Sequence, residues 1–254
     1  MPTVLVDSND PRTTILSLNR PERRNALTIE LMSDLIAAIE TAAADPNRRL
    51  LVLRGEGGAF CTGLDLNEVS ESHKAHASAE LVAKMLLTVS QTRLVTIAAV
   101  HGAAVAGGAG LMSACDFVIA AEKTKLGYPE VRRGLVAGLV MTFLRRQLRE
   151  RDARELLLGG ELIDAQRAKE IGLVNRVVAR DQLDAEVHKF ATSVIQGAPQ
   201  AMANSKRLLE ELWSTTVAQD VELALRHHMQ ARQSDESKEG VAAFLEKRAP
   251  RWAL

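Results

Sequence analysis

The sequence predicts an α/β protein in which a strand–strand–helix unit repeats and a helical C-terminal region follows. Three observations support this prediction. Short apolar runs typical of strands occur in pairs before amphipathic segments. Beyond residue 139 the pattern becomes mostly helical. Apolar residues make up 46% of the 254 residues but aromatic residues only 3%, so Leu, Val, Ala and Ile must fill the core.

The first repeat is predicted from two apolar strands and one helix. Residues 4–6 and 13–18 are apolar runs separated by the turn-rich segment SNDPR. Thr28 is a favourable N-cap for a helix over residues 29–44, in which apolar side chains recur on one face.

The second repeat contains a segment whose structure the pattern does not predict. Residues 50–54 form a short apolar run typical of a buried strand, and residues 79–91 have the spacing of a helix. Between these two elements, residues 67–79 are polar and have no clear periodicity. A further strand is predicted over residues 94–100.

The most informative segment, HGAAVAGGAGLMSACD at 101–116, follows that strand. Small residues and the pair Gly107-Gly108 lead directly into an apolar helical run at 111–115. Such a turn presents backbone N–H groups at a helix N-terminus, where negative charge is favoured. A second segment, YPEVRRGLVAGL, carries one isolated carboxylate, Glu130. An anion-binding turn near a single acid indicates chemistry that passes through an oxyanion.

The C-terminal half is predicted to be helical with one more strand. Asp164 caps a helix that ends at Gly172, and a short strand follows over residues 174–178. No linker rich in Gly, Pro or Ser separates the later helices, so we expect them to pack on the core or on a neighbouring subunit. We divide the chain into a core at 1–195 and a helical region at 196–254, which serves oligomerisation and covers the ligand.

Charge and cysteine content exclude several classes of protein. Lys and Arg together number 32, as do Asp and Glu, and this balance argues against a general nucleic-acid-binding protein. Cys61 and Cys115 are too few for a disulfide framework or a zinc cluster, so we expect buried thiols in a reducing compartment and no metal site. The N-terminus lacks a signal pattern, and we expect a cytoplasmic protein with no membrane span. The motifs of serine hydrolases, P-loop proteins and dinucleotide-binding proteins are absent.

Four motifs in a fixed order resemble the enoyl-CoA hydratase/isomerase family, also called the crotonase superfamily. They are NRPERRNALT at 19–28, GAFCTGLDL at 58–66, the two segments quoted above, and LLLGGELIDAQRAKEIGLVNRVV at 156–178. The resemblance implies a crotonase-like spiral of β-β-α units and an acyl-CoA thioester as ligand. It also implies no cofactor beyond the CoA of the substrate, and a homotrimer or a dimer of trimers.

The resemblance also implies roles for three residues in catalysis. The backbone N–H groups of Leu64 and Gly107 would form an oxyanion hole for a thioester enolate, and Glu130 would be the acid/base. A carboxylate that works near neutral pH needs burial to raise its pKa. We therefore expect Arg132 and Arg133 to point away from Glu130, because their positive charges would oppose that rise.

The remaining site residues are predicted from the same resemblance. Arg24, Ala26 and Thr62 would hold the adenine and pantetheine of CoA. Phe244 and Lys247, which come from a neighbouring subunit in relatives, would approach the CoA phosphate. Further residues expected at the substrate are Gly63, Asp65, Leu66, Gly110 and Gly138.

Gly110 stands where many hydratases of this family carry a second Glu. Glu68 and Glu71 are possible replacements, although surface positions are more common for such residues. With one acid, hydration of a 2-enoyl-CoA is our first prediction, double-bond isomerisation is the second, and a non-catalytic acyl-CoA-binding protein is the third. The form of the two glycine-rich motifs is also similar to that of bacterial hydratases for branched enoyl-CoAs, such as methylglutaconyl-CoA hydratase.

Overall fold

The computed structural model describes residues 1–69 and 72–253, and their strands form two sheets. The strands are β1 (Val4–Asp7), β2 (Thr13–Leu18), β3 (Leu50–Gly55), β4 (Val95–Val100), β5 (Ala103–Val105), β6 (Phe117–Ala121), β7 (Lys125–Gly127), β8 (Ile163–Asp164) and β9 (Arg176–Val178).

Helices connect these strands and make up the C-terminal region. They are α1 (Ile29–Ala44), α2 (Leu66–Val69), α3 (Ser72–Gln91), α4 (Gly107–Ser113), α5 (Gly138–Leu144), α6 (Glu150–Gly159), α7 (Ala165–Glu170), α8 (Leu183–Val194), α9 (Pro199–Glu211), α10 (Val217–Arg232) and α11 (Asp235–Leu245). Short 3₁₀ helices occur at Pro21–Arg23, Pro129–Arg133, Arg180–Gln182 and Arg251–Ala253.

The larger sheet has the order β1-β2-β3-β4-β6-β9. The β1 strand is antiparallel to β2, and all the other pairs are parallel. Parallel neighbours need a crossover connection, and α1 and α3 supply it between β2, β3 and β4. The smaller sheet has the order β5-β7-β8, and parallel bridges at Leu27–Leu64 and Cys61–Ala104 form beside it.

The chain visits the two sheets in turn, which makes the fold a spiral. After β4 in the larger sheet it enters β5 in the smaller one and continues into α4. It repeats this path through β6 and β7. The predicted repetition of strand–strand–helix units is thereby confirmed.

Alternate residues of the central strands enter two apolar cores on opposite faces of the larger sheet. Leu51 and Leu53 of β3 lie in a core with α1, α3 and α4, whereas Leu50 and Val52 face a second core with α8. Burial on both faces explains why β3 and β4 are continuous apolar runs in the sequence. Thr28 caps α1 as predicted, since its hydroxyl oxygen accepts a hydrogen bond from the Leu31 N–H at 3.2 Å.

The structure corrects two boundaries. The region 67–79, which has no apolar periodicity, is largely helical, because α2 and the first turns of α3 lie within it. An exposed His76–Glu80 pair at 3.0 Å, four residues apart, supports the first turns of α3, whereas the later turns pack apolar side chains such as Val82 and Leu86 into the core. The helix predicted at 111–115 begins four residues earlier, at Gly107, because Ala106 has a positive φ of 52° that ends the strand abruptly.

The C-terminal helices lie on the core of their own chain. The α10 helix packs against α5 and α3, and α11 packs against the turn Pro129–Arg133. Arg146, just after α5, joins this region to the core through ion pairs with Glu210 at 2.5 Å and Asp220 at 3.0 Å. In the part of the chain that the structure describes, no helix combines the length and the apolar character needed to cross a membrane.

Candidate active site

A cavity of about 690 Å³ lies where the smaller sheet, the Pro129–Arg133 turn and the C-terminal helices meet. The predicted site residues on its wall are Arg24, Ala26, Thr62, Leu64, Asp65, Leu66, Gly107, Glu130 and Phe244. Residues from distant parts of the sequence therefore reach one cavity.

Two backbone N–H groups on this wall donate no hydrogen bond to any residue that the structure describes. Leu27 donates to the carbonyl of Gly63 at 2.8 Å and accepts from the N–H of Asp65 at 2.9 Å. The N–H of Leu64, between them, points away from this bridge. The N–H of Gly107 is the first of α4, where no intrahelical acceptor exists. Among the hydrogen bonds of the described residues, neither Leu64 nor Gly107 acts as a backbone donor.

The two free N–H groups are neighbours in space. A Cβ atom on Gly63 would lie 3.1 Å from the Gly107 nitrogen, and one on Gly107 would lie 3.8 Å from the Leu64 nitrogen. Ala106 has φ 52° and ψ −123°, a strained conformation for a residue with a side chain, and it sets the direction of the Gly107 N–H. Two adjacent donors of this kind can bind one oxygen that acquires negative charge.

Glu130 supplies an isolated acid on the same cavity wall. The residue is only 9% exposed, and its Oε2 has no hydrogen-bond partner among the described residues. Burial raises the pKa of Glu130 to about 7, although the positive charge of Arg133 opposes the rise. A carboxyl group with such a pKa can both accept and donate a proton near neutral pH.

The two arginines beside Glu130 behave differently. Arg132 points outward and donates to the Gly159 carbonyl at 3.1 Å and to Glu161 at 3.3 Å. The prediction that Arg133 also points away is wrong, since Arg133 is half-buried and lines the cavity. The turn is a 3₁₀ helix, in which residues three apart lie on the same side. Arg133 therefore lies on the same side of the turn as Glu130.

A second acid does not accompany Glu130 in the described part of the chain. Of the other carboxylates on the cavity wall, Asp65 is paired with Arg20 at 3.1 Å and Glu22 is exposed. Glu68 accepts a hydrogen bond from the Ile29 N–H at 2.9 Å and thereby caps α1. Glu71 lies outside the described residues.

Gly110 is buried in α4 and does not line the cavity. A Cβ atom at this position would lie 2.2 Å from Cγ1 of Val140 in α5. The side chain of Val140 therefore fills the space next to Gly110.

The family model described as enoyl-CoA hydratase/isomerase matches residues 13–253. The chain belongs to this family. A putative enoyl-CoA hydratase of Thermus thermophilus is 39% identical over 244 residues, which cover 94% of this chain and 96% of that protein. The 2,3-dehydroadipyl-CoA hydratase of Escherichia coli is 32% identical, with 97% of each chain covered.

Solved structures of the family have the same fold. The crystal structure of a putative enoyl-CoA hydratase from Mycobacterium avium paratuberculosis superimposes with a TM-score of 0.88 and 35% identity, covering 98% of this chain and 100% of the other. An enoyl-CoA hydratase/isomerase from Xanthobacter autotrophicus gives a TM-score of 0.87 at 32% identity, with 97% of each chain covered. The crotonase-like fold predicted from the motifs is thereby confirmed.

Besides Gly110, three predicted site residues of this family member lie off the cavity wall. Gly63 is directly behind the wall, against Ala106. Gly138 begins α5 where a Cβ atom would lie 2.8 Å from the Ala224 carbonyl oxygen of α10, so its small size permits close helix packing. Lys247 is exposed just after α11, and Phe244 of that helix reaches the cavity of its own chain.

Sequence reasoning missed His228, which α10 brings to the cavity wall. Its Nδ1 lies 3.2 Å from the Val136 carbonyl, and burial lowers its pKa, so the imidazole is neutral near pH 7. A signal was available in the sequence: Val217, Val221 and His228 follow helical spacing on one face of α10, and this face is buried.

Proposed function

We propose that this protein hydrates a 2-enoyl-CoA and that Glu130 is the single acid/base. One observation carries the proposal: the buried Glu130 carboxyl group shares a cavity wall with the unpaired N–H groups of Leu64 and Gly107. The family membership and the relatives named as hydratases support the same reaction.

The mechanism follows from these three groups. The thioester carbonyl oxygen accepts hydrogen bonds from the N–H groups of Leu64 and Gly107, which polarises the conjugated double bond. The ionised Glu130 takes a proton from a water molecule as the water oxygen bonds to C3, and the electron pair of the double bond moves to form the enolate. Each fixed donor lowers the barrier by about 3–4 kcal/mol, because it needs no reorganisation when the charge develops. The protonated Glu130 then returns the proton to C2, which completes the addition of water.

Double-bond isomerisation is a second candidate because one acid suffices for it. In that reaction Glu130 removes a proton from C4 and returns a proton to C2 as the double bond moves from C2–C3 to C3–C4, through the dienolate held by the same two N–H groups. The absence of a second carboxylate at Gly110 favours this candidate, because a two-acid water site cannot form there. Chromatographic separation of 3-hydroxyacyl-CoA from 3-enoyl-CoA distinguishes the two products.

Replacement of Glu130 by Gln tests the proposal. We expect the wild-type protein to hydrate crotonyl-CoA, and Glu130→Gln to lower kcat by about 10²- to 10⁴-fold with nearly unchanged affinity for CoA. Glu122→Gln, at an exposed position, is the matched control and should keep full activity. Full activity of Glu130→Gln would contradict the role of this residue. A wild-type protein that binds acyl-CoAs of varied chain length but converts none of them would be a non-catalytic acyl-CoA-binding protein.

We further propose that the protein is a cytoplasmic homotrimer or dimer of trimers that needs no cofactor beyond the CoA of its substrate. Apolar side chains exposed at the end of α9 support an assembly, because burial against another subunit would remove them from water. They are Leu208, Leu209, Leu212 and Trp213. Light scattering coupled to size-exclusion chromatography should give three or six times the mass of the chain, and a monomer would contradict the proposal.

A further inference from the structure

Arg133 is a half-buried cation that forms no ion pair within the described residues, although its charge acts on Glu130 over a longer distance. Its Nη1 lies 3.5 Å from the carbonyl of Pro129, which is a weak contact, and its buried Nε has no hydrogen-bond partner. In the part of the chain that the structure describes, no carboxylate lies within ion-pair distance of this guanidinium. Arginine keeps its charge even when buried, so Arg133 brings a positive charge to the cavity wall.

The other two arginines nearby already have partners. A recess of about 360 Å³ adjoins the main cavity and is lined by Arg132, Arg133 and Arg248. Arg132 pairs with Glu161, and Arg248 pairs with Glu239 at 2.7 Å. Among the three arginines of this recess, Arg133 is therefore the one whose N–H donors remain available to a ligand.

The C-terminal helix α11 holds Arg133 in place. The guanidinium carbon lies 4.3 Å from the centre of the Phe244 ring, in a cation–π contact. A Cβ atom on Gly240 would lie 2.4 Å from the backbone of Arg133, so α11 packs directly on this residue. Stacking on one face leaves the edge of the guanidinium available for a planar anion, which it can bind through two parallel hydrogen bonds.

The position of Arg133 decides which part of the substrate it can contact. Arg133 lies on the same 3₁₀ turn as Glu130, and its positive charge acts on the Glu130 carboxyl group. The proposed function places the reacting carbons of the acyl chain beside Glu130. The CoA phosphates are separated from these carbons by the whole pantetheine arm, whereas the remainder of the acyl chain is close.

We propose that Arg133 binds a carboxylate carried by the acyl group, so that the preferred substrates are enoyl-CoAs with an acidic acyl chain. The inference rests on the proposed hydration at Glu130. A half-buried cation without an ion-pair partner is unfavourable, and a substrate carboxylate would supply that partner. A neutral acyl chain of the same length leaves the cation unpaired.

The preference between two matched substrates tests the proposal. We compare kcat/KM for 2-hexenoyl-CoA with that for 2-hexenedioyl-CoA, which has the same carbon chain but ends in a carboxylate. The wild-type protein should prefer the diacid, and Arg133→Met should reduce the preference about tenfold or more. Arg133→Lys should retain part of it, because the charge remains without the planar fork. Arg132→Met, on the neighbouring outward-facing residue, should leave the preference unchanged.

Three outcomes would overturn the proposal. The first is a wild-type protein with no preference for the diacid. The second is an equal fall in kcat/KM for both substrates in Arg133→Met, which would show that Arg133 acts only on the pKa of Glu130. The third is an equal loss of affinity for free CoA and for acidic acyl-CoAs in Arg133→Met, which would assign the guanidinium to the CoA phosphates.

Binding measurements separate this proposal from the hydration reaction. Adipyl-CoA and hexanoyl-CoA have no double bond, so their affinities, measured by calorimetry, do not depend on catalysis. Tighter binding of adipyl-CoA by the wild-type protein but not by Arg133→Met supports carboxylate recognition even if neither enoyl-CoA is hydrated. Equal affinities in the wild-type protein contradict it, whatever the catalytic activity. Thermal unfolding of each variant verifies that the fold is intact.

Discussion

Val140 occupies the space that a side chain at position 110 would need. A Cβ atom on Gly110 would lie 2.2 Å from Cγ1 of Val140 and 2.8 Å from its Cβ. The two residues belong to α4 and α5, which pack together next to the cavity. Because of this contact, a second acid at position 110 is incompatible with the present packing of the two helices.

Substitutions at Gly110 should therefore destabilise the protein. Gly110→Ala should lower the free energy of unfolding by about 1–3 kcal/mol through overpacking, and Gly110→Glu by more. The double variant Gly110→Ala/Val140→Gly should be more stable than the sum of the two single effects predicts, because removal of the Val140 side chain makes room for the new methyl group. Denaturant unfolding of the two single variants and of the double variant measures this coupling.

A matched glycine substitution provides the control for this measurement. Gly159, at the end of α6, has open space where a Cβ atom would lie, with no other atom within 4 Å, so Gly159→Ala should be close to neutral. A fully stable Gly110→Ala would show that α5 can move away from α4. In that case Gly110→Glu would also be a route to a two-acid site.

Gly107→Ala should weaken the proposed oxyanion hole without unfolding the protein. The added methyl group would lie 3.8 Å from the Leu64 nitrogen, where the thioester oxygen is expected, and 3.2 Å from Cδ1 of Leu27, a flexible side chain. We expect kcat/KM to fall about 10²-fold or more, because the methyl group would keep the thioester oxygen from its N–H donors, and loss of one such contact has an effect of this size. Steady-state kinetics with crotonyl-CoA measures the loss, and an unchanged melting temperature shows that the fold is retained. Wild-type kinetics in Gly107→Ala would place the thioester oxygen elsewhere.

The raised pKa of Glu130 predicts the pH dependence of hydration. Water activation needs the ionised carboxylate, and burial raises the pKa of this group to about 7, so kcat/KM should fall as the pH decreases below that value. Arg133 favours the ionised form, so Arg133→Gln should move the acidic limb of the profile to higher pH. Arg132→Gln should leave the limb in place, because that side chain is exposed and paired with Glu161. A limb that remains at the usual pKa of a solvated carboxylate would contradict the burial of Glu130.

Local patterns in the sequence were sufficient to predict much of the fold. The repeated strand–strand–helix order and the Thr28 cap are confirmed because each depends on residues within a few positions of one another. The four motifs predicted the family, which the match over residues 13–253 confirms. The roles of Glu130, Leu64 and Gly107 remain predictions, although the structure brings all three residues to one cavity.

The sequence by itself determined the repeating elements, the family and Glu130 as the first candidate acid, because apolar periodicity and short motifs are local properties. Only the tertiary structure decided which side chains accompany that acid. The 3₁₀ geometry of the turn brings Arg133 to the cavity, and the packing of α10 brings His228 there from almost a hundred residues further along the chain. The contact between Gly110 and Val140 likewise depends on how closely α4 approaches α5. Such distances arise from the way whole elements pack together, and no short stretch of sequence specifies them.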